Sequence, residues 1–396
     1  MIKYALVFSA ILFAFVLQAQ PFLQTMKHLP GTGQTKSYTN TFGEDADYNY
    51  FAPYLIANAN GTVLDTVTGL LWQQTDGGEL TVENAQLYCD TLTLGGFTDW
   101  RLPKIHELFS IHNLDRNNPS LNTSFFTKTA AEYWWSSDRQ VNDATKIWVT
   151  NAGGGLGNHA KSETVSAGGT KKIHVRAVRD LTTPKTLPQH FIDNGNGTTL
   201  DASTGLTWLK VPQDSTTWEN ALIAAEGLSY AGYSDWRLPN IKELHSINDE
   251  SLISPSISKT YFPGVAVALY WSSTSLPNQV TNAWYLDTRY GITTYAAKTR
   301  KLPFFCVRGG SVSTALSPEL AQELSVSIFP NPSASSMQLE ARYPIENILV
   351  SDTEGRVVFT AQPNSTNYLL NCLTVGSYVL RIQIKGTWVA RSVMVQ

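Results

Sequence analysis

Four acidic positions recur along the chain at a constant spacing of 136 residues, so that each carboxylate occurs twice. Pairs of carboxylates are the groups with which hydrolases perform general acid and base catalysis. The recurring acids are Asp65 and Asp201, Glu83 and Glu219, Asp99 and Asp235, and Glu107 and Glu243. Each also has a structural role available, beside a turn, in the first turn of a predicted helix, or close to Arg101 or Arg237. We therefore interpret them as structural, with a hydrolase as the weaker alternative.

The sequence gives little support for a histidine base, a serine nucleophile or a calcium site. None of the 7 histidines falls at an equivalent position in both copies of the repeat, which argues against a shared histidine base or metal site. Ser136 and Ser272 could join a Ser-His-Asp arrangement, but no nucleophile-elbow motif surrounds them. The segment 193–197, Asp-Asn-Gly-Asn-Gly, is similar to a calcium loop, yet the first copy lacks its carboxylate. We predict no catalytic residue, no metal site and no cofactor.

Binding residues are predicted in the segment after Trp284. Tyrosine rings can stack on sugars, and lysine or arginine can bind sulfate and carboxylate groups. Lys171 and Lys172 occupy the place in the first copy that Arg300 and Lys301 occupy in the second. This recurring basic pair suggests acidic-glycan binding, with a solvated strand end as the competing interpretation. The ligand-binding candidates are Tyr285, Arg289, Tyr290, Tyr295, Lys298, Arg300, Lys301, Lys171 and Lys172.

These residues lie on a tandem duplication. GFTDWRLPKIHEL, from Gly96, returns as GYSDWRLPNIKEL, from Gly232, and four tryptophan pairs also differ by 136. After Trp148 and Trp284 the spacing falls to 129, so one loop is longer by 7 residues in the first copy. We assign the extra length to the loop that holds the glycine-rich stretches GGGLG and AGG. The unit has the length of a domain and is too long for a solenoid repeat.

Each copy reads as short strands, two helices and further strands, which predicts an α+β fold with a small, mostly antiparallel sheet. Asn-Gly and Thr-Gly turns punctuate the opening hairpin. Thr216 and Glu219 predict a capping box before the first helix of the second copy. Within the repeated signature, tryptophan supplies core, proline can begin the second helix, and arginine can reach a helix glutamate or the adjacent aspartate. The signature residues are Trp100, Arg101, Pro103, Trp236, Arg237 and Pro239.

The chain as a whole has the features of an exported protein. Its first 19 residues combine a charged start, an apolar run and a small residue, which predicts a secretory signal peptide. No later run is long and apolar enough to predict a transmembrane segment. A net charge of −3 without a basic stripe argues against a nucleic-acid partner. The predicted domains are 20–182 and 183–310, followed by a linker, 311–323, and an all-β sandwich, 324–396.

The last domain resembles the type A C-terminal sorting domain of type IX secretion, through FPNP at 329–332, SDTEGRVV at 351–358 and LTVGSYVLRI at 373–382. The resemblance implies an immunoglobulin-like sandwich whose partner is the type IX secretion machinery. It also implies that the chain is secreted, or attached to the outer-membrane surface, in a gram-negative bacterium.

The two copies resemble the Lcl C-terminal-like family of domains, through NGTVLDTVTGLLW, GFTDWRLPKIHEL, YWWSS and HVRAVR and their second-copy partners. The resemblance implies two C-type-lectin-like domains and, from a few members, adhesion to acidic polysaccharide. It also implies a disulfide between the first helix and the last strand, of which Cys89 and Cys306 are opposite halves in different copies. Either both are buried free thiols, or they form a bridge that requires exchanged strands.

The sequence thus predicts a surface or secreted protein that binds polysaccharide or another glycan through loops of lectin-like domains. A structural surface component that binds no ligand is the alternative.

Overall fold

The computed structural model describes residues 21–48, 55–164, 172–309 and 326–396, the last range without residues 332, 335, 353–356 and 385–386. The predicted signal peptide and the predicted linker lie outside these residues. Strands predominate, and the described residues contain four short α-helices, two in each copy. None of the described helices is both long and apolar enough to span a bilayer.

The first copy contains two helices, α1 (Val82–Thr91) and α2 (Ile105–Ser110). A strand β1 (Phe22–Gln24) precedes this copy. Its strands are β2 (Leu55–Ala57), β3 (Thr62–Asp65), β4 (Leu70–Gln73), β5 (Ala131–Gln140), β6 (Asp143–Asn151), β7 (Leu156–Ala160), β8 (Lys172–His174) and β9 (Val178–Asp180).

The second copy repeats this order after strand β10 (Lys185–Leu187), and its helices are α3 (Trp218–Glu226) and α4 (Ile241–Ser246). Its strands are β11 (Phe191–Asp193), β12 (Thr198–Asp201), β13 (Leu206–Leu209), β14 (Gln213–Thr216), β15 (Leu269–Ser275), β16 (Asn282–Asp287), β17 (Ile292–Ala297), β18 (Leu302–Phe304) and β19 (Val307–Gly309).

Each copy is built on two sheets. The first sheet has the order β2-β3-β4-β9, repeated as β11-β12-β13-β19, so the opening meander pairs with the last strand of the unit. The second sheet has the order β7-β6-β5-β8, repeated as β17-β16-β15-β18, and β14 adds an edge strand in the second copy. The last strand of each copy therefore closes that copy's own first sheet.

Local chemistry explains most boundaries, with one exception. Gly61 and Gly197, at the Asn-Gly tips, have φ of 79° and 84°, conformations that glycine adopts without strain. The predicted capping box at Thr216 is wrong, because Thr216 ends β14 and Thr217 is the N-cap residue. Glu219 instead accepts a hydrogen bond from Thr39 Oγ1 at 2.8 Å. The Glu219 carboxylate therefore binds Thr39, which is distant in sequence, and not the backbone at the start of its own helix.

The length difference between the copies falls later than the sequence predicted. The spacing of 136 continues through β7 and β17, because Leu156 matches Ile292 at the start of these strands. β7 ends at Ala160 and β8 begins at Lys172, whereas β17 ends at Ala297 and β18 begins at Leu302. The extra residues thus belong to the AGG segment and not to GGGLG. Most of that segment, 165–171, lies outside the described residues.

Residues 21–48, which we call the strap, precede the first copy but pack against the second. β1 pairs antiparallel with β10. Thr32 Oγ1 and Thr274 Oγ1 both donate to the buried Asp45 Oδ2, at 2.7 and 2.6 Å. Gln34 Nε2 donates to the Ser275 carbonyl at 2.5 Å. The strap also binds the first copy, since Lys27 N–H donates to the Thr68 carbonyl and Leu114 N–H donates to the Thr32 carbonyl, both at 2.7 Å. It therefore joins the two copies.

The two copies pack through equivalent elements. α2 contacts α4, and β7 lies beside β17, where the Leu156 N–H donates to Thr293 Oγ1 at 3.2 Å. One buried core contains Phe109 and Trp148 from the first copy together with Trp284 from the second. Contacts between equivalent surfaces resemble an isologous two-fold interface, here formed within one chain. The shared core joins the copies into a single body.

The C-terminal region, residues 326–396, is all-β, as predicted. Its long strand β21 pairs with β20 and β23 through its first half and with β22 and β24 through its second half. A separate apolar core fills this region. The strands are β20 (Val326–Phe329), β21 (Met337–Asp352), β22 (Val357–Ala361), β23 (Ser365–Leu370), β24 (Gly376–Ile384) and β25 (Thr387–Val395). The immunoglobulin-like arrangement stays a prediction.

Candidate functional site

The repeated arginines bind the glutamates of the second helices, one of the two partners that the sequence predicted. Arg101 reaches Glu107 with two hydrogen bonds of 2.7 and 2.8 Å and also binds Asp180. Arg237 reaches Glu243 with two bonds of 2.6 Å. Burial opposes ionisation of Glu107, but the hydrogen bonds and charge of Arg101 outweigh it and lower the pKa. These pairs are fully used in holding a helix to a strand.

The repeated aspartates Asp99 and Asp235 do not pair with the neighbouring arginines of the signature. Asp99 accepts two hydrogen bonds from Arg179, at 2.6 and 2.9 Å. The Arg179 guanidinium lies 3.9 Å from the centre of the Phe97 ring. The second copy repeats the arrangement with Asp235, Arg308 and Tyr233. The aspartate therefore ties the signature to the last strand of its sheet.

The repeated prolines precede the second helices and do not begin them. Pro103 lies before Lys104, the N-cap residue of α2, and its carbonyl accepts a hydrogen bond from Ser137 N–H at 2.8 Å. Pro239 accepts the same bond from Ser273. Trp100 and Trp236 are buried in the cores, as predicted. The signature is therefore a folding element in both copies.

The recurring turn aspartates and the recurring serines also have structural partners, and Glu83 lies exposed in the first turn of α1. Asp65 and Asp201 accept hydrogen bonds from backbone N–H groups of the following turn. Ser136 Oγ and Ser272 Oγ donate to the carbonyls of Trp148 and Trp284 at 2.7 and 2.8 Å. Among the described residues, no group of three or more histidine, cysteine or acidic side chains could hold a metal ion.

The cysteines are free thiols. Cys89 packs in the core of the first copy and Cys306 in the corresponding core of the second, so the bridge between copies does not form. Ala177 lies in the core with Cys89, and Ala225 lies in the core with Cys306. Burial raises the pKa of the Cys89 thiol to about 12, which makes it an unreactive apolar group.

A cleft of about 810 Å³ opens between the two copies, within the range of roughly 300–1,000 Å³ that is common for ligand sites. The first copy supplies the loop after α2, the start of β5 and the turn after β6. The second copy supplies residues from the loop after β15 and from β16 and β17. The lining residues are Asn117, Asn118, Pro119, Leu121, Thr123, Phe126, Thr127, Lys128, Thr129, Ala131, Glu132, Tyr133, Trp134, Asn151, Ala152, Gly153, Gly155, Leu156, Leu276, Asn278, Trp284, Ile292, Thr293, Thr294 and Tyr295.

The lining combines amides, hydroxyls and aromatic rings with little charge. Four asparagines and five threonines offer both donors and acceptors. Tyr295 is 43% exposed, and its ring meets the buried Trp284 ring edge to face with centroids 5.9 Å apart. Lys128 and Glu132 are the charged side chains of the lining, one of each sign. The cleft can therefore bind a polar, uncharged molecule that has flat apolar faces.

A glycine turn keeps the cleft open on the first copy. Gly153 lies in the cleft wall, at the position that corresponds to Arg289 in the second copy. Gly154 has φ of 95°, and a Cβ atom there would lie 2.5 Å from Leu114 Cδ2. Its counterpart is Tyr290, which packs against the shared core. The first copy therefore has no side chain at Gly153, which lines the cleft, while Gly154 packs closely against Leu114.

The predicted ligand residues are dispersed. Tyr295 lines the cleft, whereas Arg289 is exposed outside it and Tyr285 is half-buried. Lys298 Nζ lies 3.7 Å from the centre of the Trp218 ring, and burial lowers its pKa. Arg300 and Lys301 are exposed and do not line the cleft. Lys171 lies outside the described residues, and only the strand position of Lys172 is described.

Sequence reasoning missed the asparagines and threonines of residues 117–129. Such residues are common in turns, and only the packing of the second copy shows which of them face a cavity. The signal that could have found them was the glycine stretch 153–155, where the two copies differ in side-chain size.

Comparisons with known proteins agree with both resemblances. The Lcl C-terminal domain family matches residues 61–179 and again residues 197–308. The secretion system C-terminal sorting domain family matches residues 327–396. Among solved structures, the chain is similar to PorZ, an essential bacterial surface component of the type-IX secretion system of Porphyromonas gingivalis, with 12% identity and a TM-score of 0.17. That alignment covers 66% of this chain and 30% of PorZ. No curated protein matches the chain.

Proposed function

Because the chain belongs to the Lcl C-terminal domain family and carries a type IX sorting domain, we propose that it is an exported surface protein that binds polysaccharide in the cleft between its two family domains. The sorting domain marks the chain for export by the type IX system. We also propose a C-type-lectin-like fold for each family domain, since its first and last strands share a sheet. Neither matching family is named for an enzymatic activity, and we propose binding without turnover.

The observation that carries the proposal is the composition of the cleft. Sugars present hydroxyl groups that both donate and accept, together with apolar ring faces that stack on aromatic side chains. The asparagines, the threonines and Tyr295 match both features. With one lysine and one glutamate in the lining, the cleft favours a neutral saccharide over the acidic glycan that the basic loop suggested.

A structural surface component is the second candidate function. It is favoured because the recurring aspartates and arginines form hydrogen bonds within the protein in both copies. A protein of this kind would self-assemble and bind no saccharide.

A glycan array with the mature full-length chain tests the proposal, followed by titration of the best-binding oligosaccharide. Tyr295→Ala removes the exposed ring, and Gly153→Arg introduces the side chain that the second copy has at this position. We expect each variant to weaken binding by about tenfold or more, equivalent to about 1.4 kcal/mol, with one ligand bound per wild-type chain.

The control is the triple variant Lys298→Ala, Arg300→Ala and Lys301→Ala, whose residues lie outside the cleft. Neutral-saccharide binding should persist in this variant and should change little with salt. Salt-sensitive binding that the triple variant abolishes would place the site on the basic loop. No binding on the array, together with concentration-dependent assembly in light scattering, would favour the structural component.

A further inference from the structure

A network of buried polar side chains lies behind the first-copy wall of the cleft. His174 Nδ1 lies 2.7 Å from Asp76 Oδ1, and Arg176 Nη2 lies 3.5 Å from Asp76 Oδ2. The side chains of Arg176 and Asp76 are 0% and 1% exposed. Burial opposes ionisation of Asp76, but the His174 hydrogen bond and the Arg176 charge outweigh it and lower its pKa. Asp76 is therefore a buried carboxylate held in its charged form.

The network bonds directly to two residues of the cleft wall. Thr129 Oγ1 donates to Asp76 Oδ2 at 2.6 Å, and Trp134 Nε1 donates to the same oxygen at 3.3 Å. Thr129 and Trp134 both line the cleft. The Arg176 guanidinium also lies 5.0 Å from the centre of the Phe126 ring, which belongs to the same wall. One carboxylate thus fixes the positions of a hydroxyl and an indole beside the ligand space.

The fold itself does not need these charges, as the second copy shows. The positions of Asp76, His174 and Arg176 correspond there to Pro212, Pro303 and Phe305. Phe305 is fully buried and packs edge to face on the Trp208 and Phe262 rings. Buried ion pairs carry a large desolvation cost, and apolar replacements of similar size are often as stable. The first copy therefore keeps a costly network where its duplicate uses apolar packing.

We propose that Asp76, His174 and Arg176 are positioning residues for the cleft, which hold Thr129 and Trp134 in the geometry that the saccharide meets. The effect of these residues on saccharide affinity rests on the proposed binding function. Their effect on the positions of Thr129 and Trp134 does not require a ligand. Because the Thr129 hydroxyl and the Trp134 indole both donate to Asp76, they do not donate to the saccharide, and the asparagines and the other threonines of the cleft supply donors instead. The first domain then supplies the fixed wall of the cleft, while the second domain supplies the exposed Tyr295 ring.

Two full-length variants that differ at one acceptor group test the inference. Asp76→Leu with Arg176→Leu removes both charges and the oxygen that Thr129 and Trp134 bind. Asp76→Asn with Arg176→Leu removes both charges but keeps an oxygen at that place. We measure amide hydrogen exchange of residues 125–135 without ligand, and then the affinity for the best array saccharide.

In the variant with Asp76→Leu and Arg176→Leu, we expect amide exchange of this segment to be about tenfold faster and the affinity about tenfold weaker, because two hydrogen bonds to a carboxylate are lost. In the asparagine pair both quantities should stay within about threefold of the wild type. Equal behaviour of the two variants, in exchange or in affinity, would overturn the inference. If the wild type binds no saccharide, the proposed function fails, while the exchange comparison still decides whether Asp76 holds the wall.

Discussion

At the scale of single residues, the same side-chain types do different work according to burial. The Arg237–Glu243 pair is nearly inaccessible to water, with side chains 5% and 6% exposed, whereas Asp235 in the neighbouring pair is 58% exposed. Exposed ion pairs are screened and contribute little, while removal of one partner from a buried pair leaves a desolvated group. The repeated signature therefore contains one pair that the fold depends on and one that it does not.

Glu243→Ala removes the carboxylate that the Arg237 guanidinium binds through two hydrogen bonds. We expect the free energy of unfolding of the two-domain body to fall by roughly 3–5 kcal/mol. Asp235→Ala, in the exposed pair, should lower it by about 1 kcal/mol or less. Urea denaturation of both full-length variants measures the difference. Equal shifts of the midpoint would show that burial does not separate the two pairs.

At the scale of elements, the strap carries the most unusual chemistry. Asp45 is buried beneath Thr32 and Thr274, and burial raises its pKa to about 7. Lys242, in α4, donates to the carbonyls of Gly31 and Ser110, and burial lowers its pKa to about 7. The strap thus meets the second copy through groups that resist being charged, and its docking should respond to pH.

A carboxyl group with a raised pKa in the folded state contributes stability below its unfolded pKa, near 3.8, which is lost as pH rises to about 7. Asp45→Asn removes this titration but keeps an oxygen for the two threonine hydroxyls. We expect the free energy of unfolding of the wild type, relative to that of the variant, to fall by at most about 4 kcal/mol between pH 4 and 7. Melting temperatures of both proteins, measured across this pH range, report the change. Parallel curves over this range would contradict the prediction.

Lys242 provides the matched control, because its lowered pKa has the opposite consequence. The unfolded chain binds the proton more tightly, so this residue makes stability rise from about pH 7 towards 10.5. Lys242→Met should flatten the curve above pH 7, while the decline that Asp45 causes between pH 4 and 7 should persist.

At the scale of the whole molecule, one buried core contains residues of both family domains in addition to the core of each copy, while the sorting domain has its own core. The shared core contains Phe109 and Trp148 from the first domain beside Trp284 and Ile247 from the second. The core of residues 326–396 contains none of these residues. We therefore expect two cooperative unfolding units from three domains.

Calorimetry of the full-length chain should show one transition for the two family domains together and one for the sorting domain. Phe109 lies at the contact between α2 and α4. Phe109→Ala should lower the free energy of unfolding of the two family domains by roughly 3–5 kcal/mol and leave the transition of the sorting domain unchanged. Three separate transitions, or a variant that affects only the first family domain, would contradict a shared core.

The sequence by itself determined the duplication, the helices and most strands, and the family of each domain. These depend on hydrophobic periodicity, turn residues and repeated motifs, which act over a few neighbouring positions. It also offered Glu107 and Glu243 as one of two possible partners for Arg101 and Arg237, since each pair lies six positions apart, across the start of one helix, and the structure selects these glutamates.

Only the tertiary structure decided the rest. Several hydrogen bonds join residues that lie 73 to 241 positions apart. They hold the strap to the second copy, bind Glu219 to Thr39, and give Asp99 and Asp235 their arginine partners. No local pattern encodes such contacts. The cleft depends on both copies at once, because its open side results from glycines in one turn and its far wall from a strand of the other domain. Its position follows from how the duplicated surfaces pack, which the repeat alone does not reveal.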